Sequence, residues 1–244
     1  MELKPDERID DLQINGLKLI QNAKKYCFTS DSVLLANSVA VGSKHKLIDF
    51  CTGTGIIAVL LAGKKNAQSV VGVELQSDLA DIAKRNVVLN NLQDKVSILN
   101  ISAQDCISAF PLESFDTAVC NPPYRKLGTG ETDSDEGRAI CKYEIKLTLS
   151  ELVSVASRLL KFGGRFYMVH RADRLAEIIY ELKKSRLEPK VITVVFPKAD
   201  KQPDTVIFEC IKGGAEGVKL KTLTVYDKNG AYTAEAARLY SKEI

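Results

Sequence analysis

Leu47-Ile48-Asp49-Phe50-Cys51-Thr52-Gly53-Thr54-Gly55 decides the fold of this chain. Four residues read as a short buried strand, an acid stands near its end, and small residues follow where the backbone must turn tightly and let a ligand approach. From Ile56 to Gly63 the run is apolar and helical, and a helix N-terminus placed after such a loop favours anionic or polar groups. Strand, glycine loop and helix in this order open a nucleotide-sized site in an α/β protein.

Outward from this loop the chain alternates strand-like and helix-like segments, the pattern of a largely parallel sheet covered by helices. Val70 to Leu75 is the second strand, and Ser77 caps a helix reaching about Asn91, with Leu79, Ile82, Ala83 and Val87 on one face. Val96 to Ile101 and Phe115 to Cys120 are the third and fourth strands. Arg125 to Lys142, with three glycines and several acids, reads as a long mobile loop. Glu144 to Phe162 is expected to be helical and to stop at Gly163-Gly164; Arg165 to His170 is a fifth strand and Asp173 to Ser185 a helix. Val191 to Phe196 and Thr205 to Ile211 flank Pro197–Pro203 as an antiparallel pair at one sheet edge. Before the glycine loop, Leu17 to Gln21 suits a strand, and Ser30-Asp31 caps an apolar helix to about Ala40.

A length of 244 residues fits one α/β domain with small terminal additions. The expected division is an extension over residues 1–46, packing on the cofactor site, and a catalytic core over 47–244. Hydrophobic residues at 45% and charged residues at 27% are ordinary for a globular protein. No apolar run approaches the ~18 residues of a membrane span, and the charged opening after Met1 leads into no apolar stretch, so a cytoplasmic protein is expected. Six scattered cysteines without a CxxC pair, and only two histidines, point to reduced buried thiols and no metal site. The net charge of +3 is too small to prove a nucleic-acid partner, but Arg125-Lys126 and Lys198 with Lys201 form basic clusters at element ends. A monomer is favoured.

Gly53-x-Gly55-x-x-Ala58, with Glu74 about 20 residues further on, also fits a dinucleotide fingerprint, so a nicotinamide dehydrogenase is the rival from the glycines alone. Two acids favour S-adenosylmethionine. Asp49 can hold the loop or receive the cofactor's ammonium, and Asp105, after the third strand, can accept from an adenine amino group; Glu74 suits ribose hydroxyls in either case.

The second decisive stretch is Asn121-Pro122-Pro123-Tyr124. Two consecutive prolines stiffen the backbone and remove two donors, leaving acceptor groups without competing amides. The Asn121 side-chain oxygen and the Pro122 carbonyl can take the two hydrogens of an exocyclic amine, and Tyr124 can lie against the ring that carries it. Paired with the glycine loop, this turn suggests methyl transfer to a nitrogen, with orientation as the main catalytic effect.

DFCTGTG, Glu74 and NPPY resemble the S-adenosylmethionine-dependent methyltransferases that modify exocyclic amino groups. Glu7–Leu12 (ERIDDL), Lys18–Asn22 (KLIQN), Phe28–Ala36 (FTSDSVLLA) and Pro197–Pro203 (PKADKQP) further resemble the bacterial tRNA adenine-N6 methyltransferases that act on the anticodon loop of valine tRNA. The resemblance implies a Rossmann-like class I methyltransferase fold, a mostly parallel seven-stranded sheet with an antiparallel last pair, and an adenosine 3′ to the anticodon as acceptor. It places Phe28, Thr29, Ser30 and Asp31 over the cofactor's methionine end. The full expected cofactor site adds Asp49, Cys51, Thr52, Gly53, Thr54, Gly55, Glu74, Leu75, Asp105, Cys106 and Asn121. Asn121, Pro122 and Tyr124 form the catalytic set, while Tyr124, Arg125, Lys126, Lys198 and Lys201 are expected to hold tRNA. NPPY is shared with DNA and protein-glutamine methyltransferases, so a DNA adenine, a glutamine amide or a small molecule is the alternative acceptor. Cys141-Lys142-Tyr143-Glu144 departs from the Ala-Arg-His-Glu-like run that relatives carry.

Overall fold

In a computed structural model, which describes residues 2–25, 27–42, 44–125 and 136–240, the chain opens with a hairpin of β1 (Glu7–Asp11) and β2 (Lys18–Asn22), followed by α1 (Ser30–Ser38). The glycine-loop unit is β3 (Lys46–Phe50) and α2 (Ile56–Gly63). Next come β4 (Ser69–Val73), α3 (Ser77–Leu89), β5 (Val96–Leu99), the short α4 (Cys106–Ala109), β6 (Phe115–Cys120) and α5 (Glu136–Lys142). The remainder is α6 (Leu149–Leu159), β7 (Leu160–Arg171), a 3-10 turn at Ala172–Arg174, α7 (Leu175–Lys184), β8 (Leu187–Lys198), β9 (Thr205–Lys212), β10 (Lys219–Tyr226) and α8 (Ala234–Leu239).

The main sheet has the order β10-β8-β9-β7-β6-β3-β4-β5. Strands β7, β6, β3, β4 and β5 run parallel, β9 is antiparallel to both β7 and β8, and β10 runs parallel to β8. Helices cover both faces. Residues of α1, α2, α3 and α8 share one apolar cluster with one face of the sheet, and residues of α4, α6 and α7 share another with the opposite face. Helix α2, apolar on every side, has all of Ile56–Ala62 buried, as a helix without a polar face must.

The expected class of fold is present, a Rossmann-like, mostly parallel sheet with helices around it. Its details differ from the sequence reading in five places. Among the described residues the sheet has eight strands and not seven: β10, KLKTLTVY, is an outer edge strand whose first four residues are exposed, so only Leu223 and Val225 carry a buried signal. The helix expected over 144–162 is confined to Leu149–Leu159, because Thr148 and Glu151 close a capping box at its start and the chain is already extended at Leu160. Gly163-Gly164 therefore lie inside β7, beside an irregular register with β6, and Phe162 before them is 77% exposed. Residues 136–142 of the expected mobile loop form α5, and the rest of that loop, 126–135, lies outside the described residues. Before the glycine loop stands a hairpin and not a lone strand, and the caps fall at Thr29 and Gln76, one residue ahead of Ser30 and Ser77.

The hairpin is riveted to α3 by one amide. Asn86 is completely buried; its Oδ1 accepts from the Ile20 amide at 2.6 Å, and its Nδ2 donates to the Ile20 carbonyl at 3.1 Å and to the Thr54 carbonyl at 2.9 Å. Nearby Arg85 pairs with Glu7 of β1 and with Asp81. One side chain thus joins β2, α3 and the end of the glycine loop. Asn86→Ala would leave three buried backbone groups without partners and is expected to lower unfolding stability by at least about 2 kcal/mol. A fall in the urea midpoint at constant m-value checks this.

Candidate active site

Strands β3 and β6 are neighbours in register, with Phe50 beside Cys120, so the glycine loop and the NPPY turn leave the same sheet rim side by side. From β3 the chain builds outward through β4 and β5 on one flank, and through β6 and β7 on the other. The crevice above such a switch point is where open α/β sheets hold ligands. Here it is a cleft with about 870 Å³ of empty space, lined by Phe28, Ser32, Cys51–Thr54, Glu74–Gln76, Ile101–Gln104, Asn121, Pro123 and, from the far side, Ile140, Cys141 and Leu147.

Backbone strain shapes the loop. Cys51 takes a φ of 54°, a left-handed conformation uncommon outside glycine and often found where a site needs it. Gly55 (φ 86°) caps α2, and a Cβ there would stand 3.2 Å from Ala83 Cβ. Gly53 (φ 58°) has nothing within 4 Å of its Cβ position, which leaves a bare backbone facing open space.

Two buried acids hold this loop from below. Asp49, wholly buried, accepts from Thr52 Oγ1 at 2.5 Å through Oδ2 and lies against the backbone amide of Ala58 in the first turn of α2. Burial pushes its pKa up to about 7; the Thr52 bond and the Ala58 amide oppose the rise and the charge of Glu74 adds to it. Of the two roles left open for Asp49, holding the loop is the one made by these contacts. Glu74 is 6% exposed and accepts from the Gly53 amide and the Gln76 amide, each at 2.9 Å, tying the loop to the start of α3. Burial raises its pKa as well.

The NPPY turn is gripped on every side. Asn121 Nδ2 donates to Ser32 Oγ at 2.8 Å. The Tyr124 hydroxyl donates to Asn121 Oδ1 and stands 3.2 Å from Asp31 Oδ2. Arg174 donates to the Tyr124 carbonyl at 3.1 Å and pairs with Glu144 and Glu177. Behind Tyr124, at 5.1 Å between ring centroids, lies the buried His170, whose Nδ1 accepts from the Arg171 amide at 2.8 Å. Burial, helped by the charge of Arg174, holds His170 down at about 3, so it is neutral at physiological pH. Burial also raises the Asp31 pKa, the Tyr124 bond lowers it, and Asp204, at the end of the β8–β9 turn, raises it again.

Several sequence-designated residues meet here and others do not. Phe28, Cys51, Thr52, Gly53, Thr54, Glu74, Leu75 and Asn121 line the cleft. Thr29 and Ser30 begin α1, and Asp31 turns to Tyr124. Pro122 lines a small cavity behind the turn, with His170 and Glu144. Asp105 is exposed beside the cleft, its carboxylate accepts from Ser102 Oγ at 2.7 Å, and Ser102, Ala103 and Gln104 line the cleft next to it. Cys106 is likewise outside the lining, its thiol directed at the Ser102 carbonyl. Arg125 is exposed, and its carbonyl accepts from the Glu144 amide at 2.8 Å. Lys198 and Lys201 sit at the β8–β9 turn, while Lys126 lies outside the described residues. Ser32, Gln76, Arg174 and His170 escaped the sequence reading. Ser32 could have been found, since it directly follows Phe28–Asp31, but the other three carry no local signal. Cys141 accepts from Gln76 Nε2 at 3.0 Å, and burial pushes its thiol up to about 12. Among the described residues no three metal-ligating side chains come together.

These groups fit S-adenosylmethionine. A buried carboxylate at the end of β4 suits a ribose diol, Ile101 and Leu75 offer apolar flanks for a base, and the bare Gly53 admits close approach. Fold and site together define an S-adenosylmethionine-dependent methyltransferase. The chain belongs to the methyltransferase small domain family, which it matches over residues 28–185. It is 29% identical over 222 residues to the tRNA1(Val) (adenine(37)-N6)-methyltransferase of Porphyromonas gingivalis, covering 86% of this chain and 85% of that one. The protein of the same name from Aeromonas salmonicida is 24% identical over 205 residues, 84% of each chain. In fold it is similar to a predicted O-methyltransferase from Agrobacterium tumefaciens, with a TM-score of 0.70 at 21% identity over 86% of this chain and 95% of that one. No helix among the described residues is long and apolar enough to cross a membrane.

Because Asp49 rises from 3.8 to about 7 on folding, the folded protein keeps a proton that the unfolded chain releases between those values. Its stabilising contribution is complete below pH ~4 and is lost as the pH rises through about 7. The stability of Asp49→Asn relative to the parent is therefore expected to climb between about pH 4 and pH 8, by a few kcal/mol at most. Urea unfolding at each pH measures this, and a constant gap would show that Asp49 titrates normally.

Proposed function

We propose that the protein methylates the N6 amino group of an adenosine in tRNA, at the position 3′ to the anticodon of valine tRNA, and that residues 1–46 are an extension of one catalytic unit. The observation that carries the reading is the placement of Asn121 on the cleft wall, its amide oriented by Ser32 and its turn adjoining the glycine loop. The names of the relatives, which align over more than four-fifths of the chain, support tRNA and this position.

S-adenosylmethionine, when bound, supplies an electrophilic methyl group. Thr52 to Thr54, Glu74 and Phe28 are the groups placed to hold it. Asn121 Oδ1 and the Pro122 carbonyl accept the two amine hydrogens, which draws electron density onto the nitrogen and aims its lone pair. Ser32, by accepting from Asn121 Nδ2, makes Oδ1 the atom presented to the amine. Arg174 fixes the turn by its carbonyl, so the two acceptors keep their spacing. An adenine in an anticodon loop must leave its stack to reach the cleft, and the Tyr124 ring is the aromatic surface placed to receive it. No buried base is required: an alkylated amine is acidic enough to lose its proton to water, and His170 stays neutral with Nδ1 already engaged. Arg125, Lys198 and Lys201 are exposed or half-buried cations at the ends of the chain segments bordering NPPY and the β8–β9 turn, suited to phosphates.

Incubation with labelled S-adenosylmethionine and, separately, total tRNA, DNA or protein extract tests the reading, with label expected as N6-methyladenosine in tRNA alone. Asn121→Ala is expected to depress turnover at least ~100-fold, with S-adenosylhomocysteine affinity near the parent's by calorimetry. Methylation at the parent rate would reduce NPPY to a structural turn. Charge reversal at Arg125, Lys198 and Lys201 is expected to raise the KM for tRNA and flatten its salt dependence, without changing cofactor affinity.

A further inference from the structure

The atom assigned to the adenine amine already has a partner. Asn121 Oδ1 accepts from the Tyr124 hydroxyl, and the bond from Asn121 Nδ2 to Ser32 keeps the amide from flipping to offer anything else. The phenol takes one of the two lone pairs of Oδ1, so an incoming amine shares that acceptor with it. A ring tethered by that hydroxyl is also restrained from turning its face to a base. Passing the tether to another acceptor leaves Oδ1 wholly to the base and frees the ring to turn.

A second acceptor for the same hydroxyl stands beside it. Asp31 Oδ2 is 3.2 Å from Tyr124 Oη. Asp31 belongs to the first turn of α1, an element separate from the NPPY turn, so it stays in place as the turn adjusts. A carboxylate also accepts more strongly than a neutral amide. We propose that Asp31 is a positioning residue, the resting place to which the Tyr124 hydroxyl moves when the target base arrives, releasing Asn121 Oδ1 to the amine. Asp31 then acts on base capture through Tyr124 and not on the cofactor, the role its place in Phe28–Asp31 had suggested. This rests on the reading of Asn121 as the acceptor of the substrate amine.

The test is a double-mutant cycle on the full chain, read as kcat and KM for tRNA methylation and as S-adenosylhomocysteine affinity. Asp31→Ala is expected to lower kcat/KM for tRNA by about tenfold or more, the loss of one hydrogen bond to a charged group, with cofactor affinity unchanged. Asp31→Asn, which keeps an acceptor oxygen but one no stronger than Asn121 Oδ1, should recover only part of that loss. Tyr124→Phe should remain active, and in its background Asp31→Ala should have less than about a twofold further effect, because no hydroxyl is left to move. An equal loss from Asp31→Ala in both backgrounds overturns the proposal, as does parent-like activity of Asp31→Ala or an inactive Tyr124→Phe. If the parent methylates a DNA adenine or a glutamine amide in place of tRNA, the substrate reading fails on its own and the same cycle is run on that acceptor. A parent that methylates none of them overturns both.

Discussion

The pairing of β3 with β6 is the constraint on which the site depends. Parallel strands need a crossover between them, and here the crossover is long: α2, β4, α3, β5 and α4 all lie between β3 and β6 in sequence. A crossover returns each strand in the same direction, so the ends of β3 and β6 arrive at one rim with Phe50 beside Cys120. A glycine loop and an acceptor turn separated by most of the core then border one crevice. Neither motif makes a site without the other.

Polar groups buried under the rim keep that crevice open. Glu74 takes the Gly53 and Gln76 amides, Asp49 takes Thr52, and Asn86 takes the Thr54 carbonyl together with both backbone groups of Ile20. Each bond satisfies a backbone or side-chain group that would otherwise be buried alone, at a penalty of about 1–3 kcal/mol. Burial raises the pKa of both acids, and the charge of Glu74 adds to the rise at Asp49. Placing two carboxylates there opposes folding near neutral pH, and the loop conformation they hold is the functional return. Buried polar groups that define a single loop geometry while adding little stability are a known pattern.

The acceptor turn is held differently, by rigid chain and by neighbours from the other half of the protein. Pro122 and Pro123 restrict the backbone directly. Arg174, at the start of α7, grips the Tyr124 carbonyl, and His170, at the end of β7, backs the ring. Asp31 and Ser32 approach from α1. Turn and cofactor loop therefore have separate supports.

What the sequence by itself determined was local. The run from Leu47 through Gly63 can be little other than strand, tight turn and buried helix, and Pro122-Pro123 can be little other than a stiff turn, because glycine, proline and an all-apolar helix each restrict the backbone or its surroundings wherever they stand. The alternation of strands and helices likewise named the fold class. The edge strand β10 was hidden because an exposed strand has few buried residues to mark it, and the start of β7 because Gly163-Gly164 read as a helix stop. Asp105 was legible by position, and the structure adds only that its carboxylate accepts from Ser102. Only the tertiary structure brought Ser32, Arg174 and His170 to the NPPY turn and gave Asp31 to Tyr124. Those contacts join residues far apart in the chain, whose meeting depends on sheet order and helix packing; no spacing along the sequence encodes them.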